Sequence, residues 1–155
     1  MTEGTPEPLS DRQFEAWKAF LRAQSWLIRT LDRELIAEQG LPITFFDVLA
    51  QLSAAGGRLR MSELADAVLL SRSGVTRLVD RMVRAGLVRR EACETDRRAS
   101  YATLTTEGEQ VLAEALPVHV QGIADHFGRH LSEEEAKTLA AALGRMVAST
   151  DGDAC

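Results

Sequence analysis

A chain of 155 residues, 45% apolar and 26% charged, has the size and balance of one soluble globular domain. No apolar run approaches the roughly 20 residues that cross a bilayer, and Met1 to Leu9 lacks the basic start and apolar stretch of a signal peptide, so no membrane partner and a cytoplasmic location are expected. The net charge of −5 argues at first against nucleic acid, and two cysteines, Cys93 and Cys155, are too few and too far apart for a disulfide framework or a paired-cysteine metal site.

In chain order, residues 1–9 read as a flexible tail. Ser10 and Gln13 have capping-box spacing, and Leu9 and Phe14 have the spacing of a hydrophobic staple, so a helix begins here. Trp17, Phe20, Leu21, Leu27, Ile28, Leu31 and Leu35 follow in steps that mark a helical stripe, which stops near Gly40-Leu41-Pro42. About 28 residues of helix span about 40 Å, more than a single small domain buries. The excess apolar face calls for a partner.

A second helix starts near Thr44, with Phe45, Val48, Leu49 and Leu52 inward, and ends at Gly56-Gly57. Arg58 to Met61 forms a short lead-in, and Ser62 reads as the cap of a third helix bearing Leu64, Ala65, Val68 and Leu69 inward. Ser71 caps a fourth helix with Val75, Leu78, Val79 and Met82 facing the core, and Gly86 terminates it. The period then changes. Leu87 to Ala92 and Tyr101 to Leu104 read as two strands joined by the polar Cys93–Ser100 loop. Thr106 and Glu109 suggest another capping box, leading a helix with Val111, Leu112, Leu116, Val120, Ile123 and Phe127, bent at Pro117. Ser132 and Glu135 open a last helix with Ala136, Leu139, Leu143, Met146 and Val147 inward, and 149–155 reads as a flexible tail.

This order predicts a mainly helical chain with a small antiparallel β wing. Residues 44–105 form a winged helix-turn-helix, and residues 10–43 and 106–148 form a helical dimerisation region. Two copies joined about a two-fold axis would cover the outer stripes.

Charge distribution reverses the first impression left by the net charge. Residues 57–105 carry ten arginines, no lysine and six carboxylates, a local excess of +4. The remainder carries eight basic and 17 acidic residues. A basic middle between acidic flanks is an electrostatic footprint for double-stranded DNA, and arginine's planar fork suits phosphates and guanine edges.

The second helix of a helix-turn-helix enters the major groove. Here it presents Ser71, Arg72, Ser73, Thr76, Arg77 and Arg81. Ser71 and Ser73 suit phosphate oxygens near the helix N-terminus. Arg77 is the candidate for a guanine contact, and Thr76 for a thymine methyl. Arg72 and Arg81 suit phosphates. Gly74 leaves two readings open, close approach to a phosphate or tight packing on the third helix. In the wing, Asp96, Arg97 and Arg98 sit at the hairpin tip, where an arginine suits the narrow minor groove and Asp96 orients Arg98 or braces the loop.

Residues 61–108 resemble the core of the MarR family of regulators. The wing pattern of that family is met by Asp96, Arg98, Leu104, Thr105 and Gly108, and its recognition-helix run by Ser71, Ser73, Val75, Thr76, Arg77, Leu78, Val79 and Asp80. The resemblance extends more weakly, by element order, over residues 10–148. It implies a homodimer on a palindromic operator, acting as a repressor released by a small-molecule effector, and it makes Arg98 the minor-groove arginine. The sequence holds no nucleophile elbow, no glycine-rich phosphate loop and no HExxH motif, so no enzymatic activity and no cofactor are expected.

Some family members sense oxidation through a cysteine in the first helix, but residues 10–38 hold none. Cys93, flanked by Glu91 and Glu94, is expected to resist ionisation and stay inert. His126 and His130, with His119, have spacing that suits a metal-responsive regulator, yet no further ligand completes a set, and no metal is expected. Trp17, Arg22 and Trp26 share nearly one helix face and are candidates for an effector pocket, with dimer-core anchoring as the other reading. A winged-helix module that binds proteins instead of DNA is the alternative function.

Overall fold

The structure, a computed structural model, describes residues 8–68 and 70–148. Apart from Pro8 and Leu9, the two expected tails lie outside the described residues, as do Leu69 and Cys155. The elements are α1 (Asp11–Gln39), α2 (Ile43–Ala54), β1 (Arg58–Arg60), α3 (Met61–Ala67), α4 (Arg72–Arg84), β2 (Val88–Ala92), β3 (Ser100–Leu104), α5 (Thr106–His126), a 3-10 turn (Gly128–His130) and α6 (Glu133–Ala148). The class is the predicted one, mainly helical with a small antiparallel sheet.

Local chemistry sets the helix ends. Ser10 Oγ accepts from the Gln13 N–H, and Gln13 Oε1 accepts from the Ser10 N–H, so the first capping box forms. Leu9 and Phe14, expected to staple this end, are both exposed. Gly40, at φ 61°, takes the left-handed conformation that ends α1. Pro42, at the N-cap of α2, offers no side-chain acceptor. Asp32 of α1 supplies one, accepting the Ile43 N–H at 2.8 Å, which satisfies a donor that the helix itself cannot.

The sheet differs from the predicted hairpin. Arg58–Arg60 is a strand, not a lead-in, and the strand order is β1-β3-β2 with both pairs antiparallel. Arg58 lies opposite Thr103, Arg60 opposite Tyr101, and Val88 opposite Leu104. The cap of α3 is therefore Arg60 instead of Ser62, with the Arg60 N–H donating to Glu63 at 2.9 Å. The cap of α5 also moves by one residue. Thr105 Oγ1 accepts the Gly108 N–H at 3.0 Å and donates to the Gly86 carbonyl at 2.7 Å. Thr106 lacks that second partner. The last capping box, Ser132 with Glu135, forms as predicted.

The chain divides into two compact units, Met1–His119 and Val120–Cys155. In the first, one core gathers Leu31 and Leu35 of α1, Val48, Leu49 and Leu52 of α2, Leu64 of α3, Val75, Val79 and Met82 of α4, Ala102 and Leu104 of β3, and Leu112 of α5. In α1 only Thr30, Leu31 and Leu35 are buried, while Trp17, Phe20, Leu21 and Ile28 stay 42–51% exposed. The second unit holds the end of α5, the 3-10 turn and α6. Inside one chain the expected inward face of α6 is not realised, because none of its residues is buried and Met146 and Val147 are more than 60% exposed. Helix α5 continues through Pro117.

Candidate nucleic-acid interface

Helix α4 sorts its side chains as its period requires. Val75, Leu78, Val79 and Met82 are buried, and Arg72, Ser73, Arg77 and Arg81 are exposed. Four apolar anchors thus hold the helix so that its cations face solvent. Ser71 Oγ accepts the Gly74 N–H at 3.1 Å and lies 3.2 Å from Ser73 Oγ. The two hydroxyls expected at phosphate are therefore linked to each other and to the cap. Thr76 turns its hydroxyl back onto the Arg72 carbonyl at 2.8 Å, which leaves its methyl as the group to offer a base. The Arg81 guanidinium lies over the Phe45 ring, 5.4 Å from its centroid. At Gly74 a Cβ would come within 3.1 Å of Ser71 Oγ, so the glycine spares the helix cap and not, as one reading had it, the third helix.

The wing is braced from within. Asp96 accepts the backbone N–H of Arg98 at 3.0 Å, and the Ala99 N–H donates to the Asp96 carbonyl at 3.0 Å. Asp96 therefore shapes the loop tip through the backbone. Arg97 and Arg98 remain exposed.

Sequence reasoning missed four residues here. Arg90 on β2 reaches Asp80 of α4 at 3.0 Å and Ser100 of β3 at 3.2 Å, tying α4 to the wing. Tyr101 lies beneath Arg58, whose guanidinium is 3.9 Å from the ring centroid, and its hydroxyl accepts from Arg60 Nε at 3.3 Å. The R-L-R alternation of residues 58–60 was the available signal, but a strand so short is visible only through its pairing with β3.

A family model described as the MarR family matches residues 39–99. The transcriptional regulator PecS of Dickeya dadantii is 33% identical over 120 residues, 76% of this chain and 71% of that protein. The chain belongs to the MarR family. AbsC, a MarR family transcriptional regulator from Streptomyces coelicolor, superposes with a TM-score of 0.85 at 34% identity, covering 95% of this chain and 99% of that one. Sco3205, from the same organism and solved in complex with DNA, superposes with a TM-score of 0.85 at 33% identity, covering 96% and 92%. This chain is thus a MarR-family transcriptional regulator.

The MarR-family pattern at residues 104–108 has a structural cause here. Leu104 is buried, Thr105 joins the turn at Gly86 to the start of α5, and Gly108 lets α5 touch the backbone at Leu87. Cys93 departs from expectation. Its sulfur lies 3.3 Å from the Thr95 hydroxyl, and hydrogen bonding to Thr95 holds the thiol below its ordinary pKa. Hydrogen bonding to Thr95, and not the flanking carboxylates, sets the direction of the shift. The histidines do not share one helical turn. His126 ends α5, whereas His130 belongs to the separate 3-10 turn. The His119 ring lies tilted against Phe46 with centroids 4.3 Å apart, and burial lowers its pKa. Among the described residues, no group of three His, Cys, Asp or Glu side chains is placed to hold a metal. No helix there is long and apolar enough to cross a membrane.

Of the effector-pocket candidates, Arg22 and Trp26 line a concavity of about 620 Å³ together with Leu21, Ser25 and Arg29. Trp17 does not line it. Its ring stacks on Phe20, with centroids 6.4 Å apart.

Proposed function

We propose that this protein is a homodimeric repressor that binds a palindromic operator and is released by a small-molecule effector. The observation that carries the reading is the joint exposure of Arg72 and Arg77 on α4 and of Arg97 and Arg98 on the wing, within one unit whose core fixes both elements. A helix and a wing so equipped suit the major groove and the adjoining minor groove. Support comes from Sco3205, a relative at 33% identity solved in complex with DNA.

Dimerisation is proposed through residues 10–43 and 106–148. The exposed Trp17, Phe20, Leu21 and Ile28 of α1 and Leu116, Val120 and Ile123 of α5 give those segments the apolar surface that an interface needs. The effector site is proposed at the α1 concavity. There Arg22 and Arg29 beside Trp26 suit an anionic aromatic compound.

Selection of duplexes from a random pool by the purified protein tests the reading. Enrichment of an inverted repeat supports it, and a pool that stays random contradicts it. Within that reading, Arg90→Ala is expected to loosen the wing against α4. The Arg90–Asp80 pair is part-exposed, so stability changes by less than about 1 kcal/mol. Duplex affinity falls several-fold for all sequences alike, as binding isotherms on matched and scrambled duplexes will register.

A further inference from the structure

Resting on the DNA-binding reading above, we propose that the groove between α4 and the wing seats a backbone phosphodiester, and that Arg60 is one of its donors, held in place by Tyr101. The groove has a volume of about 380 Å³ and is lined by Arg60, Ser62, Arg72, Thr76, Arg98 and Ser100. Its cations come from three separate segments, the end of β1, the start of α4 and the wing tip.

Two other charged residues border it, and both are engaged. Arg90 is paired with Asp80, and Asp96 accepts the Arg98 backbone N–H. Among the described residues, no carboxylate forms an ion pair with Arg60, Arg72 or Arg98. Three guanidinium groups around one polar groove, with the Ser62 and Ser100 hydroxyls beside them, suit an oxyanion with several acceptor oxygens.

The topology says which oxyanion. A duplex that takes α4 into its major groove and the wing into its minor groove must pass one strand's backbone between those two elements. This groove is what lies between them. Arg60 is set there by the sheet, since pairing of β1 with β3 puts it opposite Tyr101. The Tyr101 hydroxyl then takes the Arg60 Nε–H at 3.3 Å. That bond uses one donor and leaves the terminal nitrogens for a phosphate. Arg58, over the same ring, lines a different concavity, with Cys93 and Thr95.

The test measures affinity of full-length wild type, Arg60→Ala and Tyr101→Phe for a selected duplex across a salt series, with scrambled duplexes alongside. Arg60→Ala is expected to weaken binding roughly tenfold at low salt. It should also make the salt dependence shallower by about 0.9 in log–log slope for each protomer bound, with the ranking of duplexes unchanged. Tyr101→Phe keeps the ring and strand pairing, and should lose part of the same affinity with an unchanged circular dichroism spectrum. If wild type binds duplex normally but Arg60→Ala keeps both its affinity and its slope, the phosphate seat is wrong and the DNA-binding reading stands. A changed base preference with an unchanged slope also overturns the proposal. A wild type that binds no duplex at low salt overturns the DNA-binding reading itself, and the seat with it.

Discussion

Gly108→Ala is expected to destabilise the protein by about 3 kcal/mol, the upper range for forcing a methyl into a closed space. On helix propensity alone the change would stabilise by roughly 1 kcal/mol, so even the sign is informative. The opposing effect is steric. A Cβ at Gly108 would lie 2.2 Å from the Leu87 carbonyl oxygen and 2.9 Å from Leu104 Cδ1. The leucine side chain can shift, but the carbonyl cannot easily follow, because it accepts the Thr105 N–H at 3.2 Å. Thr105 is itself fixed to Gly86 and Gly108 by its hydroxyl. Relief therefore means pulling α5 away from the start of β2. Denaturant titration will show a lower midpoint for Gly108→Ala. A midpoint equal to or above wild type would mean that α5 does not approach β2 this closely.

Arg77→Ala is expected to abolish discrimination at one base pair in each half-site, a loss of about 1–3 kcal/mol per half-site against the preferred duplex. Affinity for scrambled duplexes should change little. Arg77 is exposed on α4, flanked by the buried Val75 and Leu78, and no carboxylate is paired with it among the described residues. The Arg81 guanidinium, by contrast, lies over Phe45 and is less free to follow a base. Arg98→Ala should act differently and weaken binding to matched and scrambled duplexes alike. Competition binding with single-base variants separates the two patterns. Equal losses on every duplex for Arg77→Ala would move Arg77 from base reading to backbone contact.

The parts of this fold set by short-range chemistry were legible in the sequence. The boundaries of α4 followed from Ser71, Gly86 and four apolar positions at helical spacing, and the α1 start followed from Ser10 and Gln13. Long-range pairing was not legible. Strand β1 is three residues long and exists because Arg58–Arg60 meets Tyr101–Thr103, some 40 positions on. Thr105 and Thr106 offer the same hydroxyl, and only the position of the Gly86 carbonyl selects the first as the cap. The same limit applies to the interface. Exposed arginines on α4 could be assigned from periodicity, whereas Arg60 and Arg90 acquire their roles from neighbours that only folding brings together. Cys93 shows the converse error, since its sequence neighbours Glu91 and Glu94 matter less than the Thr95 hydroxyl.

In the proposed reading two copies, joined through their terminal helices, present their α4 helices to one face of a duplex. Footprinting of the purified protein on its selected duplex, with the mass of the complex measured by sedimentation, tests it directly. Two protomers per duplex are expected, with two protected half-sites whose centres lie about one helical turn, or a multiple of it, apart. A single protomer protecting one unrepeated site would contradict it.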